Sequence, residues 1–188
     1  VFIFPASGTG GWEVGLSNTL SPGDKVIAGR NGMFSHKWID MCHRLGLEVE
    51  VIETPWGHGL DAADYAAALE ADTAHKIKAV LVTHNETATG VLSDSAAVRA
   101  AVDAAQHPAI LFVDGVSSIG SMPFDFDAWG VDVAVTGSQK GFMLPAGLAI
   151  TGFSAKAMAA TETCGLPRCF YDIRDMVRSY AANGYPYT

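Results

Sequence analysis

The feature that most constrains this chain is an alternation. Short β-branched runs, VFIF, KVIA, EVEVIE, KAVLVTH, AILFVD, DVAVTG and GLAIT, recur along the sequence, and stretches of helical periodicity separate the first five of them. Those stretches are GGWEVGLSNTL, FSHKWIDMCHRLG, DAADYAAALEA and SDSAAVRAAVDAAQ, with Asp61 and Ser93 in N-cap positions of the last two. Strand, helix, strand in repetition requires crossover connections, and these build a parallel sheet with helices on its faces. AVLVT and AILFV are apolar without a break, as strands covered on both sides must be, and this accounts for a mean hydropathy of +0.20. The link before GLAIT is too short to hold a crossover helix, so the last strand is expected to run antiparallel. The fold class is therefore α/β: a three-layer α/β/α arrangement around a mostly parallel, seven-stranded sheet.

With 188 residues and 49% hydrophobic content, one sizeable core is within reach. No internal repeat, low-complexity tract or linker interrupts residues 1–165, which are expected to form one domain. Residues 166–188 carry no strand signal and are expected to lead towards another domain. The chain opens without Met on a strand-like run and stops at GYPYT, so a fragment of a longer protein is expected.

Several function classes are disfavoured. Lys+Arg 12 against Asp+Glu 20 gives a net charge of −8, and no basic run offers phosphodiester binding, so no nucleic-acid partner is expected. No apolar run approaches the ~20 residues of a membrane span, and the start lacks the parts of a signal peptide, so no membrane partner and a cytoplasmic location are expected. Cys42, Cys164 and Cys169 form an odd count without redox or zinc spacing, which suits free thiols in a reducing compartment. The six histidines show no metal-binding pair, so no metal is expected. Ser117 and Ser118 in VSSIG lack a nucleophile elbow.

In open parallel sheets, ligands bind beyond the carboxyl ends of the strands. After VFIF comes ASGTGG, where small residues open a helix and Ser7, Gly8 and Thr9 could cradle a phosphate. A dinucleotide fingerprint fails there because Glu13 stands at the third glycine position. After AILFV comes Asp114, a carboxylate that burial would make costly without a partner. After DVAVTG comes Lys140 in an otherwise uncharged stretch, a competent amine nucleophile towards carbonyls. Singly, these residues read equally as a plain capped turn, a surface charge or a structural ion pair between Asp114 and Lys140. Together, a phosphate cradle, a carboxylate and a lysine are the parts that hold pyridoxal phosphate.

The stretches PASGTGGWE, GRNGMFSHKW, THNETATG, FVDGVSSIGSMPFDFDAWGVDV and TGSQKGFMLPAG resemble the class V, fold type I aminotransferases, and within them the serine–glyoxylate and alanine–glyoxylate branch. The resemblance runs over essentially the whole chain. It implies pyridoxal 5'-phosphate as cofactor and amino transfer from a small L-amino acid, serine or alanine, to glyoxylate. It further implies that Lys140 holds the cofactor aldehyde as a Schiff base and later moves the substrate proton. Asp114 pairs with the pyridine nitrogen, Val116 packs on one ring face and Phe34, where relatives often carry Trp, stacks on the other. Ser7, Gly8, Thr9 and Gln139 contact the phosphate, and Thr87 supplies a hydroxyl near the phenolic oxygen. Tyr185 and Thr188 match a Tyr-x-x-Thr pattern that reaches the partner subunit's phosphate, which implies a homodimer with composite sites. Residues 1–165 then belong to the cofactor-binding large domain, 166–188 continue it towards a dimer contact, and the small domain lies outside the chain. Alternatives are another class V enzyme, such as a cysteine desulfurase or a phosphoserine aminotransferase, and a non-catalytic phosphate- or nucleotide-binding α/β domain. Gln139 and Phe34 disagree with the histidines usual in the desulfurases.

Overall fold

The computed structural model describes residues 1–186. In chain order its elements are β1 (Phe2–Pro5), α1 (Gly8–Ser17), β2 (Lys25–Arg30), α2 (Met33–Arg44), β3 (Glu48–Glu53), α3 (Ala62–Ala71), β4 (Ile77–Thr83), β5 (Asn85–Glu86), β6 (Val91–Leu92), α4 (Ser95–Ala104), β7 (Ile110–Asp114), β8 (Val133–Gly137), β9 (Leu148–Phe153), α5 (Ala155–Ala160) and α6 (Ile173–Ala181). A seven-stranded sheet has the order β1-β9-β8-β7-β4-β2-β3, and β5 and β6 form a separate two-stranded ribbon. The pairs β2·β3, β2·β4, β4·β7 and β7·β8 are parallel. As the short connection requires, β9 runs antiparallel to β8, and it separates β1 from the rest of the sheet.

The layers follow from the apolar patterning. Trp12 and Leu16 of α1 and Trp38, Ile39 and Cys42 of α2 bury against one sheet face together with Phe112, Val133 and Val135. Tyr65 and Leu69 of α3 and Val98 and Val102 of α4 cover the other face over Val80, Val82 and Leu111. Glycine is a poor helix former, by about 1 kcal/mol relative to Ala, yet α1 carries it at 8, 10, 11 and 15. The reason is proximity: a Cβ on Gly11 would sit 2.5 Å from Val135, and one on Gly15 would sit 3.1 Å from Phe112. The glycine stripe lets α1 lie close on the sheet and brings its N-terminus to the strands' carboxyl edge.

The structure differs in detail from what the sequence suggests, and the β5·β6 ribbon has no counterpart among the seven expected strands. The N-cap of α4 is Asp94, whose carboxylate accepts from Ala97 N–H at 2.9 Å. Ser93 is buried and accepts from Leu60 N–H at 3.1 Å, tying two loops together. Neither α5 nor α6 is in the sequence reading: α5 spans only six residues, and α6 buries only Ile173 and Met176 amid charges. These two side chains pack with Phe2, Phe4 and Val14, so α6 closes the β1 side of the sheet.

Candidate active site

The carboxyl ends of β1, β7 and β8 meet at a cavity of about 160 Å³, lined by Ser7, Gly8, Thr9, Phe34, Thr87, Asp114, Val116, Gln139 and Lys140. These are the residues singled out from the sequence, apart from Tyr185 and Thr188. Trp12 and Ser117 also line it. Trp12 follows Gly8 by four residues on a helix, a spacing that shares its face, and this signal could have found it.

Each wall has a local cause. At the start of α1, Ser7 is the N-cap but makes no side-chain cap bond, and no acidic residue occupies the first turn. The positive end of the helix is therefore uncapped by any side chain. Gly8 lies against Val116, where a Cβ would come within 2.5 Å of a valine methyl, so a larger residue would push Val116 out of place. The Gln139 Oε1 lies 2.9 Å from the point where a Cβ on Gly137 would stand, and the same point is 3.5 Å from Gly8 N, so the amide borders the helix end. Ser138 is buried, and its hydroxyl donates to Pro145 O at 2.7 Å while accepting from Leu148 N–H at 3.2 Å. This staple tightens the turn that carries Lys140.

Asp114 is only 4% exposed. Its Oδ1 accepts from Val116 N–H at 2.9 Å. The Trp12 indole lies near enough to favour the charged form, but its N–H finds no acceptor in good hydrogen-bonding geometry, so it counts as a weak donor to this carboxylate. Burial pushes the Asp114 carboxyl up to about 7, with the neighbouring Glu86 carboxylate adding to the rise and Val116 N–H, Trp12 and Lys140 opposing it. Among the described residues neither Asp114 nor Lys140 forms an ion pair, so the two charges do not serve as each other's structural partner. Thr87 donates to Ser117 Oγ at 2.9 Å, and the Ser117 hydroxyl lies 3.0 Å from Asn85 O and 2.9 Å from its Oδ1.

Tyr185 lies away from the cavity. Its hydroxyl donates to Ile3 O on β1, and its ring stacks on Tyr180. Thr188 is outside the described residues. A larger opening of about 370 Å³ at the amino ends of β2 and β3, beside Lys25 and Glu48, gathers no buried charge. Among the described residues no group of three His, Cys, Asp or Glu could hold a metal, and no helix is long and apolar enough to cross a membrane.

A doubly covered, mostly parallel sheet thus sets a lysine, a buried carboxylate and a helix N-terminus at one carboxyl edge. The chain belongs to the aminotransferase class-V family, whose family model matches residues 3–166. It is 70% identical over 188 residues to the L-aspartate–glyoxylate aminotransferase of Paracoccus denitrificans, covering 100% of this chain and 48% of that protein. It is 55% identical over 190 residues to the serine–glyoxylate aminotransferase of Hyphomicrobium methylovorum, covering 100% and 47%. Among solved structures, the alanine–glyoxylate aminotransferase of Nostoc sp. superposes with a TM-score of 0.88 at 29% identity, over 100% of this chain and 49% of that one. The chain spans about half the length of the curated relatives it matches.

Proposed function

We propose that the protein transfers an amino group from a small L-amino acid to glyoxylate with pyridoxal phosphate, giving glycine and a 2-oxo acid. The observation that carries this reading is Asp114: a buried carboxylate with no cation of its own, in one cavity with an unpaired lysine and an uncapped helix end. A ring N–H would supply the missing partner, a phosphate would satisfy the helix end, and a Cβ on Gly8 would disturb the cradle. The residues present fit the cofactor.

Bound pyridoxal phosphate would supply an electron-withdrawing ring conjugated to the substrate nitrogen. Lys140 Nζ takes the proton from the substrate Cα and returns it, as general base and then acid. Asp114 would accept a charge-assisted hydrogen bond from the ring nitrogen, a bond of about 1.5–3 kcal/mol. The α1 N-terminus, the Ser7 and Thr9 hydroxyls and Gln139 would hold the phosphate, Phe34 and Val116 would pack on the ring, and Thr87 would offer a hydroxyl to its phenolic oxygen. Residues 1–165 form the cofactor-binding part, and 166–188 continue it towards a contact with a second subunit, where Tyr185 and Thr188 complete the partner's site. A cytoplasmic setting fits the three unpaired cysteines.

Two donors have specific support. Serine is in the names of relatives at 50–56% identity, and aspartate is in the name of the relative at 70%. Half-reactions with serine, alanine and aspartate separate them. The central test is borohydride reduction of the cofactor-loaded protein followed by peptide mapping, with a pyridoxyl group expected on Lys140. A label on Lys37, Lys76 or Lys156 instead would sink the mechanism.

A further inference from the structure

Glu86 is fully buried and, among the described residues, has no cation within ion-pairing distance. What satisfies it is the start of α2. Its Oε2 accepts from Phe34 N–H at 3.0 Å, Ser35 N–H at 2.9 Å and the Ser35 hydroxyl at 3.1 Å. Its Oε1 accepts from Ala88 N–H at 3.1 Å and, more distantly, from Phe34 N–H at 3.3 Å. The N-cap of α2 is Gly32, which has no side chain to offer, and no acidic residue lies in the first turn. Glu86 therefore caps α2 from the β5·β6 ribbon, with charge-assisted bonds at the positive end of the helix.

Helix capping alone does not ask for this. A serine or aspartate at position 32 would cap α2 locally, without setting a second carboxylate near Asp114, whose proton affinity Glu86 already raises. The remote cap does something a local one cannot. It joins two walls of the cavity: Phe34 is bonded through its own N–H, and Thr87 is the residue after Glu86. The fit is close enough that a Cβ on Gly32 would lie 2.3 Å from Glu86 Cγ.

We propose that Glu86 is a positioning residue that clamps the Phe34 wall to the Thr87 wall and thereby sets how tightly the cavity holds an aromatic cofactor. The proposal rests on the pyridoxal phosphate reading. Its test is a double-mutant cycle on cofactor binding, read from the visible absorption band, together with amide exchange of the ligand-free protein. Glu86→Gln puts an amide in place of the carboxylate among donors and is expected to weaken binding about tenfold and to speed exchange at Phe34 and Ser35. Phe34→Ala is expected to lose about tenfold as well. The double variant should bind no worse than the weaker single one, because both changes remove the same wall. If Glu86→Gln does not fold, Ser35→Ala removes one donor and should show a smaller loss that likewise vanishes in the Phe34→Ala background. Losses that multiply, or weakened binding with unchanged exchange at 34 and 35, overturn the clamp while leaving the cofactor reading intact. A wild-type protein that binds no pyridoxal phosphate overturns that reading, and with it the cofactor-holding role of Glu86.

Discussion

Asp114 and Asp132 mark opposite ends of two neighbouring strands, β7 and β8, and both are nearly inaccessible, at 4% and 5% exposure. Asp132, at the amino end, accepts from Leu111 N–H at 2.9 Å and the Ser154 hydroxyl at 2.7 Å, with Lys156 and Arg99 at 3.5 and 3.6 Å. Asp114, at the carboxyl end, has one backbone N–H and, among the described residues, no ion-pairing cation. A buried carboxylate is stable when hydrogen bonds and countercharge replace its water. Among the described residues the fold supplies both at one end and withholds the countercharge at the other, a contrast that the proposed cofactor role of Asp114 would explain.

The comparison can be broken most decisively at Lys140. Lys140→Ala should cost about 10⁴-fold in turnover and abolish the borohydride-trapped adduct, yet leave stability within about 0.5 kcal/mol because no ion pair is lost. A large fall in the urea midpoint would show that the lysine belongs to the scaffold.

Asp132→Ala should do the reverse. Loss of its two acceptor roles and of the charge beside Arg99 and Lys156 is expected to cost about 3 kcal/mol by urea unfolding, with cofactor affinity unchanged in the molecules that remain folded.

Asp114→Asn sharpens the contrast, because it should raise the stability of the ligand-free protein. The folded carboxyl titrates at about 7 instead of 3.8, so the native state binds the proton more tightly than the unfolded chain does. That contribution is complete below pH 4 and is lost as the pH rises to 7. At pH 8 the asparagine variant is expected to be more stable by about 1–3 kcal/mol, with a flatter profile from pH 4 to 7 and slower proton abstraction in the loaded enzyme. An unchanged pH profile would mean that Asp114 carries no such strain. The smallest effect is expected from Trp12→Phe. Removing the indole N–H should raise the Asp114 pKa further, as read by carbon NMR of its carboxyl.

What the sequence made legible was whatever local pattern or position after a strand could reveal. Lys140, Asp114 and the Ser7–Thr9 turn each follow a recognisable strand, and β9 betrayed its direction by the length of its connection. Glu86 left no such trace, because its meaning depends on Gly32 and Phe34, which lie more than fifty residues earlier and reach it only through the packing of α2. Ser93 misled for the related reason that two cap-forming residues stood side by side, and the demand of Leu60 N–H decided between them. The six-residue α5 is too short for its periodicity to be read, and α6, nearly as long as α1, α3 and α4, shows a narrow apolar stripe of Ile173 and Met176 among charges that sequence reasoning missed.

The position of β9 has a consequence for the order in which the molecule can be built. Among the described residues β1 pairs only with β9, Phe2 opposite Thr151, and α1 rests on β8 and β9. A ribosome releases β1 and α1 before β8 and β9, and among the described residues β1 has no strand to join until residues 148–153 emerge. The loop between β1 and α1 is therefore synthesised well before the strands that fix it in place. Long-range pairing of this kind slows folding, and it leaves the start of α1 unfixed at the carboxyl edge of the sheet until β8 and β9 exist.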